Sequence, residues 1–155
     1  MALKAPATPL SITATQGSAD AFVQGSVLTG LQSRQAYNLR RIGVEFSPNL
    51  SRVDNADLEV ALTRRTKTAM PNISDVTVIF KCKFETNILT SGALWFPDIF
   101  WFDMVQDVPI VEETLYMQLD SNATTLTHTA IMRLEVDDDT ISDIERLTLL
   151  TRGIV

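Results

Sequence analysis

The chain has 155 residues, 45% apolar and 21% charged, the length and balance of one globular domain with a core of its own. Its one cysteine (Cys82) excludes an intramolecular disulfide and a thiolate metal cluster, and its one histidine (His128) excludes a multi-histidine metal site and most histidine-based catalysis. A net charge of -6 speaks against a protein whose main task is to coat phosphates.

That charge is unevenly spread. Residues 1–70 carry eight basic and five acidic side chains, and residues 71–155 carry five basic and fourteen acidic. Halves of +3 and −9 suggest complementary faces, within one domain or head to tail between copies.

Residues 1–20 are mostly Ala, Thr, Ser, Pro and Gln, punctuated by Pro6, Pro9 and Gly17. The composition predicts a flexible N-terminal arm that orders against a partner. Within it, the stretch from Leu10 to Thr15 alternates and can pair as an edge strand. The start lacks the long apolar stretch of a signal peptide, and no run approaches the roughly 18 apolar residues of a membrane helix. We expect a chain made in the cytoplasm, not secreted by a signal peptide, and without a transmembrane segment.

Residues 21–155 read as a single β-sandwich domain. Phe22 to Leu31 is strand-like, and Tyr37 to Phe46 places Ile42, Val44 and Phe46 on one face. Leu58, Val60 and Leu62 alternate inward in the next strand. The clearest strand places Val76, Val78, Phe80, Cys82 and Phe84 on one face, with Thr77, Lys81 and Lys83 on the other. Leu115, Met117 and Leu119 repeat the pattern, as do Ala130, Met132, Leu134 and Val136. The last element changes period: Ile141, Ile144, Leu147 and Leu150 recur at helical spacing, with Asp139 or Thr140 as the expected N-cap. Short strands, turn signals between them and no βα alternation predict an all-β antiparallel sandwich, a jelly roll, with one C-terminal helix.

The densest apolar stretch runs from Ala93 to Met104 and contains both tryptophans and three of the seven phenylalanines. Core, assembly interface and carbohydrate platform are all open readings. In a strand, Trp101 faces away from Phe100 and Phe102, so both faces are apolar and one needs a second layer. We therefore expect Trp95, Phe96, Phe100, Trp101 and Phe102 at a subunit interface.

Asp137, Asp138 and Asp139 suggest calcium, with Asp120 as a further ligand, or a solvated turn leading into the helix; adjacent carboxylates cannot all ligate one ion. Alternation sends Arg64 and Arg65 to opposite faces, so they form no simple patch, and no strong nucleic-acid binding is expected. His128 has no nucleophile or orienting carboxylate near it in sequence, and Cys82 reads as a core residue. No phosphate loop, nucleophile elbow or metal-spaced set appears, so we expect no enzyme, no cofactor and no metal.

A short Ala/Thr/Pro arm, about eight alternating strands over Phe22 to Val136, a large apolar strand face and no catalytic set resemble small single jelly-roll viral capsid proteins. The resemblance is architectural and assigns no functional residues. It implies a self-assembling coat subunit of a virion, with copies of itself and other virion proteins as partners. Such proteins often carry a basic arm; here residues 1–20 hold only Lys4 and Asp20 as charges. The alternative is a non-catalytic β-sandwich module that binds carbohydrate or protein, with Trp95 or Trp101 as platform.

Overall fold

Alternating apolar side chains fold into eight strands in the computed structural model, which describes residues 8–17, 21–47, 57–85, 99–122 and 127–152. They are β1 (Thr8–Gln16), β2 (Val23–Leu28), β3 (Gln35–Ser47), β4 (Asp57–Thr63), β5 (Val78–Glu85), β6 (Phe100–Ile110), β7 (Thr114–Ser121) and β8 (His128–Thr140). A helix, α1 (Asp143–Arg152), follows.

β4 pairs with β5, β3 with β6, β2 with β7 and β1 with β8, all antiparallel. This is one long hairpin rolled up on itself. The rolling adds the pairs β3–β8 and β4–β7, which gives sheets of order β1-β8-β3-β6 and β2-β7-β4-β5. The order is that of a jelly roll, two Greek keys in face-to-face sheets.

The two inner faces meet in one core that includes Ile12, Leu39, Ile42, Leu58, Leu62, Met117, Met132 and Leu134. The inward sets expected in β4, β7 and β8 are all in it. In β3 a bulge changes the phase. Leu39 pairs with Val136 but Arg41 pairs with Glu135, so Arg40 is the extra residue. One extra residue reverses the alternation, which lets Leu39 and Ile42 both point inward.

Several boundaries differ from the sequence reading. Within the expected arm, the edge strand read at Leu10 to Thr15 is longer at both ends, Thr8–Gln16, and is paired along its whole length with β8. Ile12 and Ala14 are buried in the core, so apolar burial holds it in place. β5 begins at Val78; Val76 is exposed in the turn before it and Thr77 is buried. β8 runs through Asp137, Asp138 and Asp139 to Thr140, because Gln35 and Ala36 of β3 pair with the last two of these residues.

The β1/β2 edge of the sandwich is closed by backbone contact. A Cβ at Gly25 would lie 1.9 Å from the Thr13 carbonyl oxygen, so only glycine lets β1 come this close to β2. The β5/β6 edge is closed by rings: Phe84 lies 4.8 Å from Phe100 and Phe80 lies 5.0 Å from Phe102, centroid to centroid.

The N-cap of α1 is Ser142, not Asp139 or Thr140. Its Oγ accepts from the Glu145 N–H at 3.1 Å, and the Glu145 carboxylate accepts from the Ser142 N–H at 2.9 Å. The helix buries no residue, and Ile144 (79% exposed) and Leu147 (63%) point into solvent.

Candidate interaction surface

The outer faces of the two sheets differ. On the second sheet, Ala61 and Gln118 point away from the core yet are fully buried. The segment 64–77 between β4 and β5 lies over them. Its Lys67 N–H donates to Gln24 Oε1 at 2.8 Å, and its Pro71 carbonyl accepts from Lys81 Nζ at 3.0 Å. Gln118 Nε2 donates to Gln24 Oε1 at 2.9 Å and to Thr63 Oγ1 at 2.7 Å, so the buried amide is anchored sideways. Asp75 ties the segment together: the Lys67 ammonium and the Thr77 hydroxyl and N–H hold its carboxyl down at about 2.

On the first sheet no described segment lies over the outer face. Arg41 forms a forked pair with Glu135 at 2.6 and 2.8 Å, and Arg133 pairs with Glu45 at 3.3 Å. The hydrogen bonds from Arg41 hold the Glu135 carboxyl below the usual range, and the same contact raises Arg41. Trp101 is directly opposite Gly43, and its ring fills the space where a side chain would stand. A Cβ on Gly43 would lie 2.8 Å from Trp101 Cζ3 and from Ile99 Cδ1. The Arg41 guanidinium lies 4.1 Å over the indole centroid. Trp101 is thereby fixed in orientation while 40% exposed.

β6 carries three of the five expected interface residues. Phe100 and Phe102 turn inward, half-buried against the core. Trp101 turns outward, as strand alternation requires. Trp95 and Phe96 lie outside the described residues. β6 is the outermost strand of its sheet and bows outward: Leu39 pairs with Val108 but Arg41 pairs with Asp103, so Met104–Asp107 stand opposite Arg40 alone. At the crest, Val105 is 98% exposed.

Other expected sites resolve differently. Asp137 pairs with Arg40 at 2.8 Å, and Asp139 accepts from Asn38 Nδ2 at 3.1 Å. Asp120 is in the other sheet, and no group of three acidic, His or Cys side chains fit for a metal occurs among the described residues. His128 is buried at the start of β8, opposite Gln16. Cys82 packs against the core, and burial pushes its thiol up. Alternation does not apply to Arg64 and Arg65, because β4 ends at Thr63; both line one cleft together with Arg146 of α1. Sequence reading could not join residues so far apart in the chain. No helix among the described residues is long and apolar enough to cross a membrane.

No protein-family model matches the chain, and no curated protein matches it. Among solved structures it is similar to a chain of the X-ray crystal structure of tomato aspermy virus. The TM-score is 0.47 and the identity 14%, over 88% of this chain and 80% of that one.

Proposed function

We propose that the protein is a structural subunit that assembles with copies of itself, as a coat subunit of a virus particle does. The observation that carries this reading is apolar surface left outside a completed core. Ile144 and Leu147 on α1, and Trp101 and Val105 on β6, face outward while both inner sheet faces are filled. A helix with no fully buried residue, whose Ile144 and Leu147 face away from its own domain, contributes little to folding alone, and packing against a neighbour would give it a role. The open outer face of the first sheet and the bowed β6 edge offer a second contact, with Trp101 as its fixed aromatic anchor.

Electron microscopy and sedimentation velocity at low and high salt test the reading. Shells, rings or filaments are expected, and the double variant Ile144→Asp, Leu147→Asp should lose them while keeping its fold. Trp101→Asp is expected to weaken assembly too. Phe102→Asp is the contrasting control and should unfold, because its ring packs on the core. A wild-type protein that stays monomeric at high concentration in both salts would overturn the proposal.

The exposure of Trp101 also favours a second reading, a non-catalytic module that binds carbohydrate or protein. Saturable quenching of tryptophan fluorescence by one member of a glycan panel, absent in Trp101→Ala, would select it.

A further inference from the structure

A cleft of about 300 Å³ lies between the second sheet and α1. Three arginines line it: Arg64 and Arg65 just past β4, and Arg146 on the helix. Arg64 is already committed. One of its terminal nitrogens donates to both Glu112 oxygens at 2.9 and 2.8 Å, and the other donates to the Pro109 carbonyl at 3.0 Å. Glu112 is saturated in turn, since it also accepts from the Val111 N–H at 3.1 Å.

Arg65 and Arg146 are not committed. Neither guanidinium makes a hydrogen bond or an ion pair among the described residues, and the Arg146 Nε is buried without a partner. A buried donor of this kind is costly, and structures rarely keep one without an acceptor. The Tyr116 hydroxyl, on the same wall, also lacks a hydrogen-bond partner among the described residues. Among the described residues, Glu113 is the one carboxylate lining the cleft without a cation, so two cations face one anion there.

We propose that this cleft binds an oxyanion, a phosphate or carboxylate group, held between Arg65 and Arg146. A guanidinium offers planar, forked donors that match two oxygens of such a group, and a group seated there would supply the acceptor that the Arg146 Nε lacks. The site is built from the fold and stands whether or not the chain assembles.

The test is titration of the protein with inorganic phosphate at constant ionic strength, chloride making up the balance. The readouts are the NMR signals of the Arg146 Nε–H and of the Thr114 and Leu150 amides. A saturable shift is expected with phosphate and not with chloride. Arg65→Gln and Arg146→Gln should each weaken binding about tenfold, whereas Arg133→Gln, on the other sheet, should leave it unchanged. Amide dispersion checks that each variant is folded; should Arg146→Gln unfold, the wild type and Arg65→Gln decide. An acetate titration and sedimentation in phosphate separate the sources. Phosphate that binds and also dissociates assembled protein identifies a carboxylate of a second copy as the usual occupant. Phosphate that binds and leaves the mass unchanged identifies a free anion. Signals that move no more with phosphate or acetate than with chloride, or an Arg65→Gln protein that binds as wild type does, would overturn the site.

Discussion

Two outer faces of one sandwich have opposite fates here. The chain's own segment 64–77 covers the part of the second sheet that carries Ala61, Thr63 and Gln118, and beside it Asp57, Glu59, Lys81, Lys83 and Glu85 of the same face join in ion pairs. No described segment lies over the face of the first sheet, and what it carries is charged and aromatic: Arg41, Glu135, Arg133, Glu45 and Trp101. The contrast follows from desolvation. A covered face tolerates only groups that can be satisfied without water, whereas an open face keeps charges hydrated and needs no cover.

The largest way to break this contrast is a charge on the covered face. Ala61→Asp should cost roughly 3 kcal/mol or more, read from the urea midpoint, because the position is fully buried and Lys81 opposite it is already engaged by Glu59 and the Pro71 carbonyl. Ser11→Asp, exposed on the open face, should stay within about 0.5 kcal/mol. Equal effects would mean that the segment 64–77 is no lid.

The next effect is on the open face itself. Gly43→Val should cost about 2 kcal/mol and change the Trp101 emission, since the added carbons occupy the position of the indole. Emission identical to wild type would show that the ring does not rest there.

A smaller and local effect comes from acid. The Asp75 carboxyl titrates at about 2 in the fold against an ordinary 3.8, so its ionised form is favoured by folding. Its contribution is complete above about pH 4 and is lost as pH falls toward 2. The protection of the amides over segment 64–77, relative to their intrinsic exchange at the same pH, should therefore fall across that window, and Asp75→Asn should be poorly protected already at pH 5. Protection that is unchanged from pH 5 to 2 would remove Asp75 as the tie.

The smallest effect is expected for Glu135→Gln. It breaks the pair with Arg41, yet the unfolding midpoint should stay near wild type, since exposed ion pairs contribute little. A large loss would show that Arg41 needs the carboxylate to hold Trp101.

Much of the fold was legible because period-2 burial leaves a clear trace. Phe80, Cys82 and Phe84 were placed correctly by alternation alone, as were Leu115, Met117 and Leu119. The errors came where pairing overrides local pattern. Val76 continues the alternation but has no strand opposite, because β5 meets Thr63 only at Val78. Asp137 to Asp139 look like turn residues, yet β3 extends far enough to pair them. The cap of α1 was legible in principle, since Ser142 and Glu145 stand at the spacing of a capping box. In the aromatic run, alternation separated Trp101 from Phe100 and Phe102 but could not say which side was inside.

Sequence alone determined the class of structure: alternating apolar residues can form only two-faced strands, and many such strands joined by turns must stack or close. It also set the inward residues of the central strands, since a one-residue slip would turn every apolar side chain outward. Tertiary structure decided the rest. The Arg40 bulge, the seat of Trp101 over Gly43, the cover over Gln118 and the meeting of Arg65 with Arg146 each join residues far apart in the chain. Such meetings depend on sheet order and register, which no local spacing encodes.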